Sequence, residues 1–429
     1  MCFSSLAHAG GRQRAFDAFA RAVLVSLSIA AGFAHAAEPL SLEDTLRLAE
    51  REAPALTARQ LAVSAAQLQV EPAGALPDPQ LVLGLDNVPA TGSDAGSLSA
   101  DFMTMRRIGV MQEFPRKQKR MLRSERARAD VAREEALWVV ERLTVREAAA
   151  QAWIARWSAE RRVAQLVSLR ERFDLLIAAA DAALSSGQGS TADALAARSN
   201  RAMLEDRIDE MALAVAQAQA ELARWVPGEA ERPLATAGDW STLKRTPAAV
   251  LAGAQQHRQL LAFAAAERAA QADIDLAEAE KRPDWSVELS YAERGPLYSD
   301  MVSVAVRIDL PLFAGKRQDP LIGAKRAALE QLGAEREQML REHRAALRST
   351  LAAWQAARSR AARFEAELLP LATDRAEAAV AAYRGGRSDL ASAVEALSEL
   401  VNIQMTRTER QAELGQAWAQ LRFAFPEGR

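Results

Sequence analysis

The residue types that usually carry out chemistry or bind metals are scarce in this sequence. Its 429 residues include one cysteine, Cys2, and four histidines, of which only His257 and His343 lie beyond residue 36. Thiolates and imidazoles are the ligands that zinc and copper prefer. Neither His257 nor His343 has a second ligand at metal-binding spacing, so each is interpreted as a histidine on a helix surface. The sequence predicts no metal site and no cofactor.

One glycine-rich segment, Gly187-Gln188-Gly189-Ser190-Thr191, superficially suggests a phosphate-binding loop. It follows a predicted helix instead of a strand and contains no lysine, so a nucleotide site is rejected. No combination of nucleophile, base and orienting group is found, and the sequence therefore does not predict an enzyme. The 54 basic and 56 acidic residues nearly cancel, so no basic surface indicates nucleic acid as a partner.

The first 36 residues have the features of a secretory signal peptide. Arginines precede the apolar run Ala22–Phe33, which ends at the small-x-small site Ala34-His35-Ala36. The apolar run is too short to span a membrane. We expect residues 1–36 to be removed together with Cys2, which leaves neither a disulfide nor a lipid-anchored cysteine.

The rest of the chain reads as two repeats of one plan: a helix, two strands and a long helical hairpin. Strands are predicted from period-two alternation, and helices from long stretches that contain almost no proline or glycine. The predicted elements are the first repeat, 37–228, with a helix from Leu40 to Glu71, strands 80–88 and 106–114 and hairpin 116–225; a linker, 229–247; the second repeat, 248–424, with a helix from Ala248 to Lys281, strands 284–292 and 301–313 and hairpin 316–423; and a tail, 425–429.

Short motifs recur at nearly constant spacing between the two repeats. Pro77-Asp78 and Pro283-Asp284 are 206 residues apart, and Phe114 and Phe313 are 199 apart. Ser190 and Ser388, at the two helical turns, are 198 apart. We expect breaks in the second long helix near Pro320 and at Gly323, Gly333 and Pro370.

The strands have one apolar and one polar face. Leu81, Leu83 and Leu85 alternate with smaller or polar residues, while Glu288, Arg307 and Asp309 mark the polar face of the second pair. A lipid-facing outside and a water-filled lumen would explain both faces. Four strands cannot close in lipid, so three copies are expected to form a 12-stranded barrel. The first long helix, about 68 residues, would extend roughly 100 Å from it.

The sequence resembles the TolC family of outer-membrane efflux proteins over Leu40 to Phe423. The resemblance is carried by the opening Pro39-Leu40-Ser41-Leu42-Glu43-Asp44 with Pro54, and by the turn Tyr383-Arg384-Gly385-Gly386 followed by Ser388. Leu76-Pro77-Asp78-Pro79 and residues 105–114 look like the heavy-metal branch, the CzcC and CusC type. The implied fold is mainly helical, with four barrel strands per chain, a 12-stranded barrel and a helical tube in the trimer.

The resemblance also implies partners and site residues. It implies a homotrimer in outer-membrane lipid that docks through a periplasmic adaptor onto an inner-membrane pump of the resistance-nodulation-division class and exports cobalt, zinc, cadmium, copper or silver cations. The residues implied to dock the adaptor are Gly187, Gly189, Ser190, Gly385, Gly386, Arg387 and Ser388. Asp193, Tyr383 and Glu395 match the family's aperture positions, while Ser392 departs from an acidic one.

Two other functions remain open from the sequence alone. The same channel could serve a multidrug pump or a type I secretion system. A periplasmic coiled-coil scaffold without a pore is the third reading, in which the strands form a small two-layer domain on the helices.

Overall fold

The structure, a computed structural model, describes residues 38–187, 189–294 and 298–426. The predicted signal peptide lies outside the described residues, as do Gln188, residues 295–297 between the predicted strands of the second repeat, and residues 427–429 of the predicted tail. The chain is mainly helical, with one four-stranded antiparallel sheet.

The first repeat begins with two helices that meet at Ala53 and continues through a β-hairpin into a helical hairpin. Its elements are α1 (Leu42–Glu52), α2 (Pro54–Gly74), β1 (Gln80–Asp86), β2 (Met105–Phe114), α3 (Lys117–Ser185) and α4 (Thr191–Ala223). The strand predicted over 80–88 ends at Asp86, because Asn87 adopts a left-handed conformation with φ of 55° and turns the chain out of the sheet.

The second repeat follows the same plan with more interruptions. Its elements are α5 (Pro247–Ala252), the 3₁₀ turns Gly253–Gln256 and Arg258–Leu260, α6 (Phe263–Ala279), β3 (Trp285–Glu293), β4 (Met301–Ile308), a 3₁₀ turn (Ala314–Lys316), α7 (Gln318–Arg363), a π turn (Phe364–Leu368), α8 (Leu369–Arg384) and α9 (Leu390–Phe423).

Several predicted boundaries in this repeat are wrong. The continuous helix over 248–281 is interrupted around His257, whose extended backbone separates two 3₁₀ turns. The strand expected to reach residue 313 ends at Ile308, because Ile308 pairs with Trp285, the first residue of β3, and Pro283 before it has no N–H to extend the ladder. Gly323 and Gly333 do not break α7. The expected break near Pro370 is a π turn just before it, which accommodates the proline without ending the helix.

The sheet and the helices form one layer each. The strand order is β1-β2-β3-β4. Beside the sheet, the helices pack in the order α2-α3-α6-α7, and farther away in the order α4-α3-α9-α8. β1, α2 and α4 therefore lie along one open edge of the chain, and β4, α7 and α8 lie along the other. None of the described helices combines the length and apolarity needed to cross a bilayer.

One tryptophan in each long helix anchors the segment that leads into its own repeat. The indole N–H of Trp153 in α3 donates to the carbonyl of Leu40, and that of Trp354 in α7 donates to the carbonyl of Trp240, each over 3.0 Å. Trp153 is fully buried and Trp354 is nearly so. Both tryptophans belong to the large core cluster, whose members come from both repeats.

Candidate functional site

One face of the sheet is apolar and exposed. The pairing register places Leu83, Ile108, Tyr291 and Val302 side by side across all four strands on this face. Leu83 is 70% exposed and Val302 is 71% exposed. A contiguous apolar sheet face of this kind marks a surface that meets lipid or another protein.

The opposite face contains a cluster of charged side chains. Glu288 is 2% exposed and accepts hydrogen bonds from Arg107 over 2.9 Å and from Arg307 over 2.6 Å. Asp86 forms a second ion pair with Arg107 at 3.0 Å. Two carboxylates and two guanidinium groups thus neutralise one another across all four strands. Asp309, predicted beside Arg307, lies just beyond β4, where its N–H donates to the carbonyl of Asp284.

The first helical turn ends α3 with a glycine and begins α4 with a capping box. Gly187 has φ of 74°, and its N–H donates to the carbonyl of Leu184. Ser190 Oγ accepts from the N–H of Asp193 over 3.1 Å, and the carboxylate of Asp193 accepts from the N–H of Ser190 over 3.3 Å. Gly189 is required here because a Cβ would lie 2.9 Å from the backbone nitrogen of Leu184.

The second turn has the same geometry with the capping residues exchanged. Gly386 has φ of 66°, and its N–H donates to the carbonyl of Tyr383, while the N–H of Arg387 donates to that of Ala382. The N-cap of α9 is Asp389, which accepts from the N–H of Ser392 over 3.0 Å. Because Ser190 and Asp193 match Asp389 and Ser392 at a spacing of 199 residues, the pairing of Ser190 with Ser388 at 198 was wrong by one position.

The departure from the family pattern at Ser392 therefore has a local reason. In the second repeat a carboxylate is itself the N-cap. In the first repeat the N-cap is the hydroxyl of Ser190, and the carboxylate, three residues further on, accepts from the N–H of Ser190. Hydrogen bonds from the hydroxyl of Ser392 and from its N–H lower the pKa of Asp389. A D-x-x-S sequence is a capping signal, so Asp389 could have been found from the sequence.

The predicted aperture residues do not share one cluster. Burial raises the pKa of Tyr383, and the negative charge of Asp193 raises it further. Glu395 is exposed on α9, 3.7 Å from Arg375 of α8, which also pairs with Glu399. Arg375 was not singled out from the sequence, because a contact between two helices leaves no local pattern.

The interpretation of His257 as a helix-surface residue was wrong, whereas His343 does lie on a helix, α7, and is half-buried. His257 is 8% exposed, and its ring stacks on that of His343 with 4.0 Å between centroids. Its Nδ1 accepts the N–H of Gln259 over 3.3 Å. In stacked rings the nitrogen lone pairs run parallel and cannot converge on one ion. No group of three or more metal-ligating side chains occurs within the described residues.

No protein-family model matches the chain, and no curated protein matches it. Solved structures do. CusC superposes with a TM-score of 0.76 at 16% identity, over 90% of this chain and 92% of CusC. The Campylobacter jejuni outer membrane channel CmeC gives 0.73 at 12% identity, over 89% and 85%. The Vibrio cholerae outer membrane protein VceC gives 0.73 at 18% identity, over 90% and 97%.

The chain therefore has the TolC-type fold of these outer-membrane channel structures. The fold predicted from the resemblance, four barrel-type strands and long helical hairpins in two repeats, is confirmed. At such identities the likeness concerns the fold alone.

Proposed function

We propose that this chain is the outer-membrane channel subunit of an efflux system and acts as a passive duct, not as an enzyme. The observation that carries the proposal is the pair of open edges. The described chain forms a wall one layer thick, with a four-stranded sheet whose apolar face is exposed and with no closing strand. An open sheet edge cannot remain in lipid, so the wall closes on further copies, and three copies give 12 strands.

The internal repeat specifies how neighbouring copies meet. The contact between β2 and β3 within one chain serves as the template for the contact between β4 and β1 of the next. With Pro77-Asp78 aligned on Pro283-Asp284, the hairpin registers make Leu83 equivalent to Leu289 and Ile108 equivalent to Val304. The match of Phe114 with Phe313 at 199 residues therefore does not hold for the strands, whose second members are offset by 196 residues. Because Ile108 pairs with Tyr291, and Tyr291 matches Leu85, Val304 is expected to pair with Leu85 of the neighbouring copy. This register keeps all the apolar side chains on the lipid face.

Cysteine cross-linking tests this register and the trimer together. The described residues contain no cysteine, so Val306→Cys with Leu83→Cys introduces one reactive pair per seam. Oxidation in outer-membrane fractions should give covalent dimers and trimers that are resistant to denaturant. The matched control, Val306→Cys with Leu85→Cys, shifts the pair by two residues on the same face and should cross-link poorly. Equal cross-linking of the two pairs contradicts the register, and monomers alone in both contradict the trimer.

The two helical turns are the proposed contact points for a periplasmic adaptor and, through it, for an inner-membrane resistance-nodulation-division pump. What supports this is their matched geometry: two left-handed glycines, Gly187 and Gly386, each followed by a capped helix. Two repeats per chain would give six such turns at one end of a trimer. Gly189 and Ser190 belong to the first of these turns, and Gly385, Arg387 and Ser388 to the second.

Asp193 and Tyr383 are proposed to restrict the aperture, with Glu395 contributing negative charge near it. Asp193→Ala should remove this restriction, called the latch here, and should raise the single-channel conductance. Asp193→Ser can keep a cap on α4, so it separates loss of the latch from fraying of the helix. Unchanged, closed-like conductance in Asp193→Ala would rule out the latch.

Heavy-metal cations are the proposed cargo, on the resemblance of residues 76–79 and 105–114. The charged cluster around Glu288 is neutralised by Arg107 and Arg307, so selectivity would come from the pump and adaptor. A deletion strain should become sensitive to cobalt, zinc, cadmium, copper or silver. Sensitivity to drugs with normal metal tolerance would favour a multidrug duct, and loss of a secreted protein would favour a type I system.

The alternative without a pore, a periplasmic scaffold, predicts a different fractionation. A scaffold would be released in the periplasmic fraction and would give no conductance in planar bilayers. Heat-modifiable trimers in outer-membrane fractions with stable conductance exclude it.

A further inference from the structure

A basic and aromatic pocket lies at the end of α9, far from the sheet and from the helical turns. Its volume is about 410 Å³. Lys244, Arg245 and Arg422 supply positive charge, and Trp418 and Phe425 supply aromatic walls. Leucines, Val250 and Pro426 complete the lining. The combination of a cationic rim with an apolar interior is typical of a site for a small amphiphilic anion.

The first repeat provides an internal reference for this pocket, because it shares the fold and lacks the pocket's chemistry. The N-caps Ser190 and Asp389 align α4 with α9 at a spacing of 199 residues. At that spacing Trp418, Arg422 and Phe425 correspond to Gln219, Ala223 and Val226. The three pocket side chains are therefore not requirements of the helical hairpin.

The remaining wall of the pocket comes from an insertion. The tryptophan anchors match Leu40 with Trp240, and the N-caps of the following helices match Ser41 with Thr246. The five residues between Trp240 and Thr246, Ser-Thr-Leu-Lys-Arg, thus have no counterpart in the first repeat. Leu243, Lys244 and Arg245 of this insertion line the pocket.

Two of the guanidinium groups lie over the aromatic rings of the pocket. Arg245 lies 4.6 Å from the ring centroid of Phe425, and Arg422 lies 5.6 Å from that of Trp418. Glu43 is 3.8 Å from Arg422 at the edge of the site. Within the described residues, no carboxylate lies within ion-pair distance of Arg245. A stacked guanidinium keeps its in-plane N–H groups available for a planar acceptor.

We propose that this pocket binds a carboxylate carried on a compact apolar body, such as the C-terminal residue of a peptide or a small hydrophobic acid. The carboxylate would be held by the N–H fork of Arg245, and the apolar body would lie against Trp418 and Phe425. A phosphate is the less favourable ligand. Phosphate is commonly bound by backbone N–H donors at the start of a helix, and the neighbouring helix α5 begins with Pro247, which has no backbone N–H. The site does not depend on the proposed duct function.

Ligand-observed NMR on the full-length protein in detergent tests the proposal. The probes are N-acetylphenylalanine, its carboxamide and phenyl phosphate, with acetyl-Ala-Ala-Phe as the peptide form. We expect both free acids to bind, the carboxamide to bind about tenfold more weakly, and Arg245→Gln to weaken the acids by a similar factor. The matched control is Arg224→Gln, because Arg224 stacks on Trp225 at 5.1 Å in the first repeat and lines no part of the pocket.

The outcomes distinguish a peptide C terminus from a small free acid, and a carboxylate from a carboxamide or a phosphate. Tighter binding of the tripeptide than of N-acetylphenylalanine supports the site and identifies a peptide C terminus as its ligand, and the reverse order supports a small free acid. Equal binding of the carboxamide, tighter binding of phenyl phosphate, or equal losses in Arg245→Gln and Arg224→Gln would each overturn the proposal. An unchanged unfolding temperature in Arg245→Gln shows that the comparison concerns binding.

Discussion

The two repeats of this chain build the same wall from different local contacts. The first joins α1 to α2 through Ala53, whereas the second places the buried, stacked His257 at the corresponding break. Leu40 at the start of the first repeat is replaced by Trp240 in the second. A duplicated fold thus tolerates different side chains at matched points, so each difference identifies a residue that stabilises only its own repeat.

The largest difference lies where the sheet meets the helices. Lys119, 2% exposed in the first turns of α3, donates to Asp284 over 2.7 Å, to Glu280 over 3.1 Å and to the carbonyl of Arg282 over 2.9 Å. The corresponding stretch of α7 begins Gln318-Asp319-Pro320 and has no such lysine. This buried cation fixes β2 and α3 against the segment that leads into β3.

Replacing Lys119 should therefore have the largest effect on stability. Lys119→Met removes the cation but leaves two partly exposed carboxylates, which we expect to cost about 3 kcal/mol, the low end for breaking a buried ion pair. Thermal unfolding of the detergent-solubilised protein measures it. Lys117→Met, an exposed lysine in the same turn, is the matched control and should change little. Equal effects of the two substitutions would mean that the buried ion pairs do not stabilise the junction.

The buried His257, where the first helical segment of the second repeat is interrupted, should make the stability of this repeat sensitive to acid. Burial, together with the positive charges of His343 and Arg258, lowers the pKa of His257 from 6.5 to about 4. Protonation of Nδ1 would also break the bond from the N–H of Gln259. Because the unfolded chain binds this proton at higher pH than the folded chain does, stability should fall as the pH drops from about 6.5 towards 4.

The expected loss is on the order of 2 kcal/mol across that interval. Unfolding temperatures recorded from pH 7 to pH 4 measure it, and His257→Phe, which can still stack on His343, should flatten that part of the profile. Arg258 pairs with Glu147 at 2.5 Å. Glu147→Gln removes this carboxylate and so distinguishes its titration from that of His257. A profile that His257→Phe leaves unchanged assigns the acid sensitivity to other groups.

The sequence predicted elements better than it predicted contacts. Alternation in the strands and long stretches almost without proline were enough for the repeat and the fold class, because both patterns are local. The bonds from Arg107 to Glu288 join residues 181 positions apart, and such pairs depend on strand order and register, which no single segment encodes. The stacking of His257 on His343 was missed for the same reason. Asp389 was missed although its capping pattern was visible.

A smaller effect is expected at the matched pair Gly415 and Ala216. A Cβ on Gly415 would lie 2.7 Å from the indole of Trp240, whereas the first repeat has alanine at this position of α4. Gly415→Ala should therefore destabilise the chain by roughly 1–2 kcal/mol through overpacking, despite the better helix propensity of alanine. Gly333→Ala, where a Cβ meets nothing within 4 Å, should instead raise the unfolding temperature. Stabilisation by both substitutions would show that Trp240 moves aside easily.

The smallest effect is expected at the helix caps of the two turns, where the repeats use serine and aspartate in opposite order. Ser190→Ala or Asp389→Ala removes an N-cap and should cost about 1 kcal/mol. The exchange Ser190→Asp with Asp193→Ser copies the second turn into the first and should leave stability within a few tenths of a kcal/mol, since in both arrangements the N-cap side chain accepts from the N–H three residues further on. The exchange also moves the Asp193 carboxylate to position 190. If it keeps stability but raises single-channel conductance, Asp193 acts on the aperture as well as on its helix, whereas unchanged conductance would restrict it to capping.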